Sequence, residues 1–287
     1  MIAVVDSGAS KADWIITDGH TSQDIHTIGF SPIFQTTEFI ATEVQKAFSD
    51  SPFLSKIHTV YYYGTGCWDA KRKGIVSDAL RQVFVGAQIH VEHDLLGAAR
   101  AVCGDQAGIA CIIGTGSNTC LYDGQHITDN ITNLGYFLGD EGSGACLGKM
   151  LIQSYFYREL PDDLLEAFEV FVPGGESEIL DKVYGTSAPS VYLATFMSFM
   201  AEQRQHFYIQ KLIYDAFSVF IDRHVRKYDN HIKLPVHFIG SVAYHFQDIM
   251  KIVLEERSMK SGNFLQKPIN SLAEFHKASK NKIYLVP

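Results

Sequence analysis

The sequence predicts a two-domain α/β protein, each half built on a βββαβαβα core. The first observation behind this is an internal repeat. Ile2–Ala12 reads IAVVDSGASKA and Ile109–Thr119 reads IACIIGTGSNT, and the two align without a gap. The second is that each copy is followed by a hairpin dipeptide, Asp18-Gly19 and Asp123-Gly124, at matching places. The third is that period-2 apolar runs alternate with segments of helical spacing after each copy. An internal repeat fixes architecture before any other feature, and two copies make a duplicated domain rather than a solenoid. At 287 residues the chain has room for two domains of ordinary size.

Taken in order, residues 1–30 read as three strands, IAVVDSG, ADWIITD and DIHTIGF. Gln35 to Asp50 carries Phe39, Val44, Ala47 and Phe48 at helical spacing and is stopped by Ser51-Pro52. Ile57 to Tyr63 is a strand ending in Gly64-Thr65-Gly66. Asp69 to Phe84 is a helix with Ile75, Val76, Ala79, Leu80 and Val83 as its buried stripe. Ala87 to Glu92 is a strand, and after His93-Asp94 a short helix runs from Leu95 to Cys103. The glycine-bearing crossing Cys103–Gly108 places the hinge, so the domains are expected at 1–104 with the tail 268–287, and at 105–267.

The second half restarts with the strand Ile109–Ile113, a strand from Thr119 to Tyr122, and a third from about Gln125. A helix follows from Ser143 to Glu159. Pro161–Gly185 reads as a helical insertion broken at Pro173-Gly174-Gly175, with helices near Ser190–Glu202 and Arg204–Tyr228 beyond it. The last repeats Ile209, Leu212, Ile213, Ala216, Phe217 and Phe220, a broad core-facing stripe. Pro235–Ile239 is a strand, and Gly240-Ser241-Val242-Ala243 opens another helix. The tail is polar from Lys267, with one helical piece around Ser271–His276, and is expected to pack back on the first domain.

Composition excludes several classes. With 46% hydrophobic and 20% charged residues the chain is globular, not disordered. A net charge of -8 argues against a general nucleic-acid binder. The five cysteines contain no C-x-x-C and the twelve histidines no H-x-x-x-H, so neither a zinc site nor a cluster is signalled. No apolar run reaches membrane-span length, and Met1–Val5 starts directly on a strand rather than on a signal peptide. A cytoplasmic protein without membrane partners is the expectation.

Chemistry concentrates in five short stretches. Two glycine-rich hairpin turns lining one cleft would offer backbone N–H groups to an anion from both sides. Asp6 ends the first strand, and Asp140-Glu141 is framed by glycines at a helix mouth, where acids also suit the helix dipole. Asp94 lies between a strand and a helix, a place where cleft residues collect and where an aspartate equally serves as an N-cap. Lys11 and Asn118 are each compatible with a plain turn role, as is Gly240-Ser241 with a tight strand-to-helix turn.

With these residues laid out, the chain resembles the N-acetylglucosamine kinase-like branch of the actin/hexokinase/heat-shock-chaperone superfamily, a branch that also holds ATPases activating benzoyl-CoA reductase. The resemblance rests on DSGASKADW (Asp6–Trp14), EHDLLGAARA (Glu92–Ala101), IGTGSN (Ile113–Asn118), LGYFLGDEGSGA (Leu134–Ala145) and HFIGSVA (His237–Ala243), in order over nearly the whole chain. It implies two ribonuclease-H-like (actin-like ATPase) domains with a nucleotide cleft between them, and ATP with Mg2+ as cofactors. It implies that Asp6 holds hydrated Mg2+ and that Ser10 and Lys11 touch phosphate. Thr115, Gly116 and Ser117 would take the other side of the triphosphate, with Gly240 and Ser241 near the adenosine. Asn118, Gly135 and Asp140 match sugar-contacting positions, and Asp94 matches the base facing the sugar 6-hydroxyl. The main departure is Ser31, where the family has an asparagine that binds the sugar.

The resemblance therefore implies a kinase acting on the 6-hydroxyl of N-acetylglucosamine or a related amino sugar, and leaves a homodimer open. Two rivals remain at this stage. One is an ATPase that activates a reductase or dehydratase, against which the lack of a paired-cysteine motif counts. The other is a sugar sensor without turnover, against which both retained aspartates and the lack of a helix-turn-helix count.

Overall fold

Ile2–Ser7 alternates its side chains across two faces, and both faces are covered, so it sits at the centre of a sheet. The computed structural model describes residues 1–8 and 11–283, with side chains through residue 278; Ser10 falls outside the described residues. The chain divides into two units, one of residues 1–106, 124–126 and 267–287, the other of residues 107–123 and 127–266.

The first unit opens with β1 (Ile2–Ser7), β2 (Lys11–Thr17) and β3 (Ser22–Ile28), an antiparallel meander. Then come α1 (Thr37–Phe48), β4 (Thr59–Gly64), α2 (Ala70–Val83), β5 (Gln88–His93) and α3 (Asp94–Cys103). The sheet order is β3-β2-β1-β4-β5, with β4 and β5 parallel to β1. Ala3, Val5, Trp14 and Tyr62 on one face pack with Ile40, Val44 and Phe48 of α1 and Val76 and Leu80 of α2. The caps agree with the sequence: Thr36 accepts the Phe39 N–H and Asp69 accepts the Arg72 N–H.

The second unit repeats the plan with β6 (Gly108–Ile113), β7 (Ser117–Tyr122) and a three-residue β8 (Ile127–Asp129). A short α4 (Gly135–Leu138) precedes α5 (Gly144–Phe156), and the insertion forms α6 (Asp162–Phe171) and α7 (Gly175–Gly185). The expected helix near 190–202 is two pieces, α8 (Pro189–Thr195) and α9 (Met197–Glu202), with the bend at Phe196, whose ring is buried against Phe168. Next are α10 (Phe207–Arg223), β9 (Pro235–Ile239), α11 (Ser241–His245), α12 (Gln247–Glu256) and β10 (Lys260–Leu265). The sheet runs β10-β9-β6-β7-β8. Neither β10 nor α12 is among the sequence-predicted elements. KSGNFL lacks apolar alternation, and its register on β9 shifts between Ser261 and Phe264, so a period-2 test misses it.

The closing helix α13 (Ile269–Ile283) belongs to the first unit. Its Ile269, Leu272 and Ala273 cover the second face of that sheet over Ile2, Val4, Ile15 and Tyr63. Buried His276 anchors it. The Tyr63 hydroxyl lies 2.8 Å from Nε2, Arg100 donates to the same hydroxyl at 2.7 Å, and the imidazole stacks on Tyr61 with ring centroids 3.6 Å apart. Burial, then the charges of Arg100 and His90, push the His276 imidazole down to about 3. Its folded value lies below the unfolded one near 6.5, so its share of stability is present above pH 6.5 and is lost as pH falls toward 3. His276→Phe keeps the stack and removes the titration. In urea unfolding from pH 7 to pH 4, wild type should lose more stability than the variant; parallel losses would contradict the assignment.

Candidate functional site

In the first unit, the face of β1 that carries Ile2 and Val4 into the core carries Asp6 at the strand's end. Strand register sets Asp13 of β2 directly beside Asp6, and Asp94 follows immediately after β5. The charges of Asp94 and Asp13 thus both act on Asp6, and the three carboxylates are treated unequally. Burial would raise Asp13, but hydrogen bonds from Lys267 Nζ and His26 Nδ1, each at 2.8 Å, override it and hold the group below the usual carboxylate range. Among the described residues Asp6 has no such side-chain donor. Burial first, then the charges of Asp94 and Asp13, push it up to about 7, against partial relief from Lys267 and Lys11. Asp6 keeps some solvent exposure, so it is not sealed in the core.

Asp94 does not cap its helix, although its sequence context allows that role. The N-cap is His93, whose Nδ1 accepts the Leu95 N–H at 3.2 Å. Asp94 is the first helical residue, its carboxylate is about one-quarter exposed, and His93 Nδ1 lies 2.9 Å from its Oδ1. The carboxylate is therefore not committed to the helix backbone. Cys67 lies close by, and burial followed by the Asp94 charge pushes its thiol up to about 12, so it stays protonated and is no nucleophile.

The surrounding loops are knitted together. Ser7 Oγ accepts the Phe30 N–H at 3.0 Å, and the Ser7 carbonyl accepts the Thr65 N–H at 3.0 Å. A Cβ at Gly64 would stand 2.3 Å from the Tyr62 ring, so only glycine ends β4 this way. Ser31 is buried, with its N–H donating to Gln35 Oε1 at 2.7 Å and its carbonyl accepting from Phe34 and Gln35. Lys11 begins β2, exposed, and its carbonyl accepts the Gly8 N–H at 3.0 Å to close the first turn.

In the second unit the turn after β6 is docked on the start of α5. The Gly144 N–H donates to the Gly114 carbonyl at 2.8 Å and the Ala145 N–H to the Thr115 carbonyl at 3.0 Å, while Thr115 itself is exposed. The Ser117 N–H donates to Asp140 Oδ1 at 3.1 Å. A Cβ on Gly116 would lie 3.1 Å from both Asp140 carboxylate oxygens, so the acid and the turn fit closely. Asp140 adopts a positive φ of 55°, a strained state for a non-glycine residue of the kind that gathers at functional sites. Gly240 has φ 116°, and a Cβ there would fall 2.2 Å from the Ile113 carbonyl oxygen. Only glycine lets α11, with exposed Ser241 at its start, approach this turn.

Asp140 and Glu141 are not first-turn acids of α5, because Ser143 is its N-cap. Burial would raise Glu141; hydrogen bonds from His224 at 3.0 Å and Arg223 at 2.7 Å hold it below its ordinary range. Asn118 Oδ1 accepts from the Thr119 N–H and from Asn130 Nδ2, so the acceptor end of its amide faces inward. Asn133 bridges the Ser117 carbonyl and the Gly135 N–H, and Gly135 has φ 71°. These bracing residues carry no short-range signal: Arg223 and His224 stand 82 and 83 positions from Glu141, and Asn130 and Asn133 sit in no recognisable motif.

Two mixed sheets of five strands, each opening with a three-strand meander followed by two further strands parallel to the first, define a two-unit α/β protein of the actin-like fold. The chain matches a candidate N-acetylglucosamine kinase of Porphyromonas gingivalis at 39% identity and TM-score 0.92, over 98% of this chain and 100% of that one. It therefore belongs to the N-acetylglucosamine kinase-like family. A candidate N-acetylglucosamine kinase of Chromobacterium violaceum shares the fold at TM-score 0.71 and 18% identity, over 96% and 99% of the two chains. The fold extends to MamK bound to AMPPNP, at TM-score 0.55 and 10% identity over 96% of each chain. No family model and no curated protein matches the chain. No helix among the described residues is long and apolar enough to cross a membrane.

The raised Asp6 has a measurable consequence. Its folded value exceeds the unfolded one, so its stability contribution is full below pH 4 and is lost as pH rises through 7. Asp6→Asn mimics the neutral acid. In urea unfolding without divalent cations, the variant should match wild type near pH 4 and be more stable at pH 8.5. The rise from 3.8 to about 7 sets that gap at up to roughly 4 kcal/mol. A gap that does not grow with pH would contradict the assignment.

Proposed function

We propose that the chain is an ATP-dependent sugar kinase that transfers the γ-phosphoryl group to the 6-hydroxyl of N-acetylglucosamine or a closely related amino sugar. The observation that carries this reading is the unequal set of acids in the first unit. Asp94 is partly exposed and uncommitted to the helix cap, and it stands beside an Asp6 whose charge is suppressed at neutral pH. Phosphoryl transfer to an alcohol needs a carboxylate that accepts the hydroxyl proton, and charge compensation near the phosphates. Family membership, and the kinase names borne by relatives at 39% and 18% identity, support the same reaction class.

In this reading Asp94 accepts the hydroxyl proton. Asp6 holds Mg2+ through water. Burial first, then the charges of Asp94 and Asp13, raise Asp6; a divalent cation would favour its ionised form, and a carboxylate is the hard oxygen donor Mg2+ prefers. No group of three or more acidic, histidine or cysteine side chains among the described residues could hold a metal directly, which suits a hydrated ion on one carboxylate. When bound, Mg2+ neutralises phosphate charge. Lys11 and Ser10 contact phosphate from the first unit. From the second, Thr115, Gly116 and Ser117 contact the nucleotide, with Gly240 and Ser241 toward its adenosine. Asn118, Gly135 and Asp140 contact the sugar. Asn118 offers its amide N–H to a hydroxyl because its oxygen is already engaged. Ser31 stands where the family asparagine would be, and its shorter side chain and burial make the sugar hold on this side weaker.

Asp94→Asn tests the reading. It should leave folding and ATP binding intact and cut sugar-dependent ADP release by about 10²–10⁴-fold, the usual worth of a positioned general base. Turnover within twofold of wild type would remove Asp94 from the mechanism.

A further inference from the structure

We infer that Ser7 is a positioning residue for the sugar: its hydroxyl fastens residues 29–35, the loop that carries Ser31, to the strand end that carries Asp6. The inference rests on the sugar-kinase reading and deepens it by naming what fixes the sugar-side loop relative to the acids.

Ser7 continues the face of β1 that buries Ala3 and Val5, since every second side chain of a strand shares a face. It is fully buried, and a hydroxyl in that position needs a partner. The partner stands 23 positions further on. Ser7 Oγ accepts the Phe30 N–H at 3.0 Å, while its own proton faces the Gly8 carbonyl at 3.4 Å. A serine hydroxyl has one proton and two lone pairs, so it serves both groups at once. The buried Tyr62 hydroxyl lies 3.5 Å from the Phe30 carbonyl oxygen, so both backbone polar groups of Phe30 face side chains at the strand ends.

Beyond Phe30 the loop is braced by its own hydrogen bonds. Ile33 and Phe34 are exposed. Gln35 spans the loop: Oε1 accepts the Ser31 N–H at 2.7 Å and Nε2 donates to the Gly29 carbonyl at 3.3 Å. The Ser31 carbonyl accepts the Phe34 and Gln35 N–H groups at 3.0 and 3.1 Å. The loop is thus a unit held together by Gln35 and attached to β1 through Ser7, next to Ser31 itself. Removing the Ser7 hydroxyl strands one buried N–H in that attachment. It leaves the β1–β2 ladder, the Gly8–Lys11 bond and the bond from the Thr65 N–H to the Ser7 carbonyl in place. The loss therefore falls on the sugar side rather than on the phosphate turn.

The test is a split between kinetic constants. Ser7→Ala should raise the KM for N-acetylglucosamine about tenfold, the scale of one buried N–H left unpaired, with kcat and the KM for ATP within twofold of wild type. A sugar KM within twofold of wild type, or an equal rise in both KM values, would overturn the inference. Gln35→Leu loosens the same loop without touching β1 and should also raise the sugar KM. The double variant should fall short of the product of the two single effects, because both act through one loop; a full product would contradict that. A further arm needs no turnover. Amide hydrogen exchange over residues 29–35, without ligands, should be about tenfold faster in Ser7→Ala than in wild type, with α13 unchanged. Equal exchange over the loop would refute the attachment. Absence of sugar-dependent ADP release from wild type, with the exchange difference intact, would count against the kinase reading and leave the attachment standing.

Discussion

The arrangement depends on one electrostatic constraint: a carboxylate is held where its charge is expensive. Asp6 sits at the end of a central strand whose alternation buries Ile2 and Val4 on the same face, so the fold cannot turn it outward without turning those residues out too. Strand register fixes Asp13 alongside, and the short step from β5 into α3 fixes Asp94. Asp13 is held by hydrogen bonds from Lys267 and His26, whereas Asp6 gets only partial relief, from the charges of Lys267 and Lys11. Carboxylates raised in this way gather at sites that handle a cation or a proton, which is the role proposed for Asp6.

The second unit solves a different problem, that of bringing backbones close together. Gly240 occupies a place where any side chain would collide with the Ile113 carbonyl, and Gly116 one where a Cβ would crowd the Asp140 carboxylate. Asp140 takes a strained backbone to accept the Ser117 N–H, and Glu141, held by Arg223 and His224, fixes the strained loop to α10. The turn, the acid loop and the start of α11 are thereby set against each other by hydrogen bonds and absent side chains rather than by apolar packing.

Much of this was legible in the sequence where the signal is local. The repeat, the Asp-Gly hairpins and the helical stripes gave the order of elements through α3, and the glycine turns after β6 and β9 marked two loops that lie against each other in the second unit. What was not legible depends on long-range partners or competing local bonds. On its residues alone Asp94 reads as a helix cap, and only the structure shows His93 taking that role. The bracing of Glu141 joins residues more than eighty positions apart, beyond the reach of any spacing rule. Strand β10 was invisible because its irregular pairing on β9 erases the alternation by which strands are recognised. The Phe196 bend was hidden inside a continuous helical pattern, because packing of its ring rather than a breaker residue divides that helix.

The chemistry proposed for the acids of the first unit is tested most directly by coupled ADP release with ATP and Mg2+ across N-acetylglucosamine, glucosamine, N-acetylmannosamine and glucose. The account predicts sugar-dependent ADP formation with the highest kcat/KM on an amino sugar, N-acetylglucosamine or a near relative. ADP release at the rate seen with ATP alone, for every sugar in the set, would contradict it.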